Sequence, residues 1–209
     1  MSTRRISEAH LPTAWGVFRA VAFRDGDGNE HLALCVGVSE TTGCFDGDEP
    51  VLVRLHSECL TGDLFGSQRC DCQQQLHGAL ELVQRAGRGA VLYLRGHEGR
   101  GIGLAAKISA YRLQESGLDT YDANEALGFP ADARNFDSAA DVLSLLGANA
   151  VRLVSNNPQK SAALKRRGIH IVERVPALSE PTAHNEHYLR TKQTRGGHTF
   201  ENLTVAELE

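Results

Sequence analysis

Between Ala90 and Val175 the chain alternates short apolar runs with stretches of helical spacing, and this alternation most narrows what it can fold into. AVLYL at 90–94, Ala150 to Val154 and Ile169 to Val175 are short apolar or β-branched runs that read as strands. Helices are predicted between them, from about Leu104 to Glu115, from Ser138 to Leu146 and from Gln159 to Arg167, the last ended by Gly168. Ser138 and Asp141 stand in a capping-box relation. Strand–helix alternation of this kind predicts a layered sheet with parallel pairing. Upstream, residues 13–22 (TAWGVFRAVA) and 31–38 (HLALCVGV) read as antiparallel strands joined at Asp25-Gly26-Asp27-Gly28. PVLVRLH at 50–56 is a further strand, and Leu76, Ala79, Leu80 and Val83 mark a helix from Gln73 to Ala86 with Gly87 as its stop. The expected fold class is α/β, a mixed sheet layered with helices and opening on N-terminal antiparallel strands. Residues 1–176 read as a single domain, and 177–209 as a polar, aperiodic C-terminal arm, partly disordered.

At 209 residues and 41% hydrophobic content, the chain can bury a full core. A net charge of −4 with no basic block argues against a nucleic-acid binder, while a small anionic ligand needs only a local cluster of positive groups. The start, MSTRRISEAHLPT, has no apolar stretch behind its arginines, so no secretory signal is expected. Nothing approaches the ~20 apolar residues of a membrane span. The expected compartment is the reducing cytoplasm, where five cysteines serve as metal ligands before disulfides.

Three of those cysteines, Cys59, Cys70 and Cys72, lie in HSECLTGDLFGSQRCDC. Three close thiols can bind one soft metal ion and leave a fourth tetrahedral position to water, as catalytic rather than structural zinc sites do. A zinc finger would need a second CxxC or HxxxH pair, which this run lacks. Cys35 and Cys44 read as a core thiol and an incidental loop thiol. A redox pair is the lesser alternative, since CxC is not CxxC. The His56-Ser57-Glu58 step also fits the first half of the zinc nucleobase deaminase signature, but RCDC lacks that signature's second half. His56 and Glu58 remain candidates to orient water or substrate.

LRGHEGRGIGLAAK, 94–107, lies after a strand and before a helix, where backbone N–H groups favour an anion. Its Gly101, Gly103 and Ala106 fit a relaxed dinucleotide fingerprint, but Arg95 to Arg100 stand between it and the strand, so an anion loop using Arg95 and Arg100 is the better reading. FPADARNFDSAADVL places Asp132 and Arg134 ahead of a helix. VSNNPQKSAALK places Ser155, Asn156 and Lys160 at a strand-to-helix turn.

With the tail HNEHYLRTKQTRGGH, these motifs together resemble GTP cyclohydrolase II over about residues 6–198. The resemblance implies that residues 1–176 are a catalytic domain opening the imidazole ring of GTP, with release of formate and pyrophosphate, at the first step of riboflavin synthesis. It implies one Zn²⁺ per chain on Cys59, Cys70 and Cys72, Mg²⁺ on the phosphates, and a homodimer without nucleic-acid or membrane partners. It also implies a chain lacking the four-carbon-unit synthase domain fused to some relatives. Arg54, Leu55, His56, Ser57, Glu58, Gln75, Glu98, Gly99, Arg100, Thr120, Ser155 and Lys160 fall on GTP-contact positions. Asp132 falls on a general base, Arg134 on a nucleophile toward the α-phosphate, and Tyr111 on a residue assisting at the ring carbon. Arginine stays protonated below pH ~12, so a clamp on the phosphate is the more ordinary role for Arg134. Two positions depart from the family: Ser155 where Thr is common, and His97 where Gln is common.

Overall fold

The computed structural model of the chain describes residues 2–197. A seven-stranded sheet runs through it, made of β1 (Arg4–Thr13), β2 (Gly16–Arg24), β3 (Glu30–Val36), β4 (Val51–Ser57), β5 (Gly89–Leu94), β6 (Ala150–Val154) and β7 (His170–Val175). Their spatial order is β1-β2-β3-β5-β4-β6-β7. The first three strands and β5 pair antiparallel, while β5, β4, β6 and β7 pair parallel. The helices are α1 (Leu60–Asp63), α2 (Cys72–Ala86), α3 (Leu104–Glu115), α4 (Thr120–Ala126), α5 (Asp137–Leu145), α6 (Pro158–Arg166) and α7 (Glu186–Thr194). This is the mixed α/β sheet expected from the alternation. None of the helices among the described residues is long and apolar enough to cross a membrane.

β4 is buried at every position from Val51 to His56, the pattern of a strand covered on both faces. Val53 and Leu55 face a core closed by Phe136, Leu143, Leu146 and Leu164. Leu52 faces the other way, where Phe18 and Val91 meet Ala79, Leu80 and Val83 of α2. Cutting a fully buried leucine such as Leu143 to alanine costs about 2–5 kcal/mol at sites of this kind. With both faces sealed, polar groups collect where β4, β5 and β6 end together, the usual mouth of a parallel sheet.

Four elements differ from the sequence expectations. The first strand begins at Arg4 rather than Thr13, and a turn at residues 14–15 separates it from β2. α5 forms without the capping box: Phe136 takes the cap position, and Asp141 instead accepts from Thr3 Oγ1 at 2.9 Å and pairs with Arg167. α4 is additional, capped by Asp119, which accepts from the backbone N–H of Tyr121 and Asp122. α7 stands within the polar arm, anchored by Leu189, which is 1% exposed. The remainder of that arm, 198–209, including the last residue of the tail motif, lies outside the described residues.

Candidate active site

A cleft opens at the shared end of β4, β5 and β6. Cys59 sits at the cap of α1 directly after β4, Cys72 begins α2, and Cys70 lies in the turn before it. The three sulfurs all lie within 4.8 Å of one another, with Cys59 and Cys70 Sγ 3.7 Å apart. Gly62 makes this convergence possible. A Cβ there would stand 2.8 Å from Cys70 Sγ, 3.0 Å from Cys72 Cβ and 3.1 Å from Cys59 Sγ. Three soft donors over a bare backbone position form a candidate metal site, consistent with zinc.

The surroundings favour a thiolate. Lys107, 7% exposed, donates to Cys59 Sγ at 3.2 Å and pairs with Glu98. Hydrogen bonds from Cys70 and Cys72, with the Lys107 charge, hold the Cys59 thiol far below its usual range. The bond to Cys59 pushes Cys70 up to about 11. Asp63 braces the same loop: Oδ1 accepts from His56 Nε2 at 2.9 Å, and Oδ2 from Cys59 N at 3.0 Å and the Tyr93 hydroxyl at 2.8 Å. His56 therefore buttresses the cysteine loop, and burial, then the Arg54 charge, keep its imidazole neutral against the pull of Asp63. Glu58 accepts from Gly96 N at 2.9 Å, and Glu98 from Leu60 N at 2.7 Å, so both carboxylates of the cleft wall are engaged. Tyr111 meets Thr61 Oγ1 at 3.2 Å beside the thiols, with the Arg69 guanidinium 4.9 Å from its ring centre.

The rest of the cleft is cationic. Arg54, Arg100, Arg134, Lys160 and Lys192 line it in a chain whose net charge is −4. Arg54 donates to Gln75 Oε1 at 2.5 Å and to the Val154 carbonyl at 3.2 Å. Arg134 holds Asp132 through Nε at 2.9 Å and Nη2 at 2.6 Å, and reaches Ser57 Oγ at 3.4 Å. Although burial opposes it, this pairing keeps the Asp132 carboxyl below the usual range. Lys160 donates to the Leu55 carbonyl at 2.7 Å, and burial, then the charges of Arg54 and Arg134, hold its ammonium well below the usual lysine range. Arg100 has φ 66, and its guanidinium lies 4.0 Å from the Tyr121 ring centre. Its Nη1 is buried with no partner among the described residues. A left-handed non-glycine residue with an orphaned donor is strain of the kind ligand clamps hold. His97 donates from Nε2 to the Asn135 carbonyl at 2.9 Å, which leaves Nδ1 to accept the Ser57 hydroxyl at 3.1 Å. Burial, then the Arg134 charge, push its pKa down to about 3, so the ring is neutral.

Of the residues singled out by resemblance, Arg54, His56, Ser57, Glu58, Gln75, Glu98, Gly99, Arg100, Tyr111, Thr120, Arg134, Ser155 and Lys160 line this one cleft with the three cysteines. Leu55 differs, because its side chain lies in the core and only its carbonyl faces a cleft residue. Asp132 stands behind Arg134. Lys107 and Asp63 were not anticipated. An acid four residues after Cys59 is visible in ECLTGD, but nothing local marks Lys107, whose partners lie 9 and 48 residues away.

Residues 3–176 match the family described as GTP cyclohydrolase II. The riboflavin biosynthesis protein RibBA of Mycobacteroides abscessus is 53% identical over 202 residues, 96% of this chain and 48% of that protein. RibBA of Aquifex aeolicus is 50% identical over 197 residues, 94% of this chain and 47% of that protein. The chain thus spans about half the length of the curated relatives it matches. A solved structure of RibBX, a two-domain 3,4-dihydroxy-2-butanone 4-phosphate synthase from A. baumannii, covers 86% of this chain and 41% of its own at 18% identity. Its TM-score of 0.43 is too low to carry an argument.

Proposed function

The chain belongs to the GTP cyclohydrolase II family, and from that premise we propose that it hydrolyses GTP to 2,5-diamino-6-(5-phospho-ribosylamino)pyrimidin-4(3H)-one, formate and pyrophosphate. The observation that carries this reading is a single cleft that holds a three-thiol site together with a cluster of arginines and lysines. A purine nucleoside triphosphate offers a ring to the first and anionic phosphates to the second.

Cys59, Cys70 and Cys72 would hold one Zn²⁺, which when bound acidifies water and polarises an oxygen at neutral pH. Lys107 keeps Cys59 in its thiolate form, and Asp63 with Gly62 fixes where the sulfurs sit. Tyr111 donates to charge developing at the ring carbon, the role that favours release of formate over retention of the formyl group. On the phosphate side Lys160, Arg100 and Arg54 neutralise the chain of anions. Arg134 clamps the α-phosphate: with a guanidinium tied in two places to Asp132, it is poorly suited to lose a proton and act as nucleophile. Asp132, held below the usual carboxylate range, is a weak base and a good anchor for that clamp. Mg²⁺ would come with the phosphates of GTP, since this ion usually keeps several waters and takes few ligands from the protein. We further propose that the active form is a homodimer, to be checked by sedimentation.

The test is to incubate the zinc-loaded protein with GTP and measure formate, pyrophosphate and the mass of the nucleotide product. Deformylated product with both small molecules supports the proposal. Accumulation of a formyl-bearing product replaces it with a formamide-producing reaction, and unchanged GTP with a nucleotide-sensing module.

A further inference from the structure

α7 lies C-terminal to the stretch that matches the family, yet two of its residues, Tyr188 and Lys192, line the cleft. They are one helical turn apart, and Lys192 Nζ lies 4.3 Å from the centre of the Tyr188 ring. Lys192 donates to Asp71 Oδ1 at 2.6 Å, and Asp71, between Cys70 and Cys72, is fully buried. The other Asp71 oxygen accepts from Gln75 at 2.5 Å and from Ser179 at 3.1 Å, and Gln75 in turn accepts from Arg54. A continuous set of polar contacts therefore joins this helix to the cysteine turn and the cationic wall.

Further contacts fix the path of the arm. Asn156 and Ala177 bond each other twice, at 2.8 and 2.9 Å. Glu180 N donates to Gln74 Oε1 at 3.0 Å. At the far end, Arg195 pairs with Asp119 at 2.7 Å and Asp122 at 2.6 Å, at the start of α4, whose Thr120 and Asn124 also line the cleft. The arm thus runs from the end of β6, past the start of α2, to α4, around the cleft rather than away from it.

We propose that α7 is a wall of the substrate site, with Tyr188 and Lys192 contacting the bound nucleoside triphosphate and Asp71 fastening that wall to the cysteine turn. The proposal rests on the GTP reading above and adds to the site two residues of the tail motif HNEHYLRTKQTRGGH. Tyr188 offers a ring face and a hydroxyl, and Lys192 an ammonium whose charge is shared with the buried Asp71.

The experiment uses the full chain, zinc-loaded, in three forms: unaltered, Tyr188→Ala, and the double variant Asp71→Asn/Lys192→Met. The double change avoids leaving Asp71 buried and unpaired, which would itself disturb the cysteine turn. Bound zinc, thermal midpoint and the dissociation constant of a non-hydrolysable GTP analogue are measured for each. Zinc should stay at one per chain in all three. The analogue should bind at least about tenfold more weakly in both variants, the loss of one good contact each. Unchanged analogue binding in both variants overturns the assignment of α7 while leaving the GTP reading intact. Loss of zinc together with nucleotide in both overturns it in favour of a brace for the cysteine turn. Failure of the unaltered protein to bind the analogue overturns the GTP reading and the proposal with it.

Discussion

Replacing Gly62 with alanine separates local helix preference from the demands of the thiol site. In a helix, alanine is favoured over glycine by about 1 kcal/mol, so propensity alone predicts a slightly more stable protein. The packing says otherwise. The new Cβ would lie 2.8 Å from Cys70 Sγ, whereas ordinary contact begins at 3.4 Å, so the sulfur must retreat by about 0.6 Å. Metal–ligand distances tolerate only about 0.2 Å. Cys72 Cβ at 3.0 Å and Cys59 Sγ at 3.1 Å leave no easy direction for the methyl to yield. Overpacking typically costs ~1–3 kcal/mol, which offsets the propensity gain and leaves metal-free stability within about 2 kcal/mol of the original. Zinc affinity should fall much further. The assay is urea unfolding in chelator for the fold, alongside competition with a coloured zinc indicator for the site. The expected result is a near-normal unfolding curve with zinc binding weakened at least as far as in Cys70→Ser. Full zinc occupancy at unaltered affinity in Gly62→Ala would refute the claim that the bare backbone at 62 sets the spacing of the sulfurs.

Arg134→Ala should slow pyrophosphate release by ~10²–10³ while zinc stays bound, and the Asp132→Asn background controls for the carboxylate left unpaired; a normal rate in both would remove Arg134 from the phosphate site. Tyr111→Phe should keep its zinc yet release formate ~10²–10³ more slowly, read by assaying formate and formyl-bearing nucleotide side by side. His97→Gln probes a pH effect whose sign follows from burial. The folded imidazole titrates at about 3 and the unfolded one near ~6.5, so the unfolded state takes up the proton first as pH falls. Stability from the neutral ring is present above ~6.5 and is lost as pH drops toward 3, so the variant should lose less stability between about pH 7.5 and about pH 5 in urea titrations. An equal loss in both proteins would count against a buried neutral His97.

What the sequence disclosed follows from how local each signal is. α2 is readable because Leu76, Ala79, Leu80 and Val83 fall on one face and Gly87 ends it with φ 65. The thiol site is readable because three ligands within fourteen residues have little else to do. β1 is not, since nearly every residue of it is exposed and no alternation betrays a buried face. Asp132 and Arg134, two apart, would ordinarily pair at the surface, but here both side chains are 13% exposed, and only tertiary placement turns the pair into part of a site. Similarly α7 has a polar sequence, and the contact that docks it spans 121 positions, from Lys192 to Asp71. Leu55 shows the converse: its position in the motif does not tell that the side chain packs in the core while the carbonyl meets Lys160 of the cleft.

β1 has a consequence of a different kind. Its ten residues pair on one side with β2 and form the outer edge of the sheet, the sort of border to which another chain can add a strand. Arg4, Arg5 and Glu8 place charge along that border, Pro12 removes a donor from it, and the register shift between Arg5 and Ser7 breaks its line. Each of these discourages edge-to-edge growth. The strand that contributes least to the chemistry thus guards colloidal behaviour, and changes such as Arg4→Val with Pro12→Val should first show themselves as aggregation on storage at high concentration, with turnover per soluble molecule unchanged.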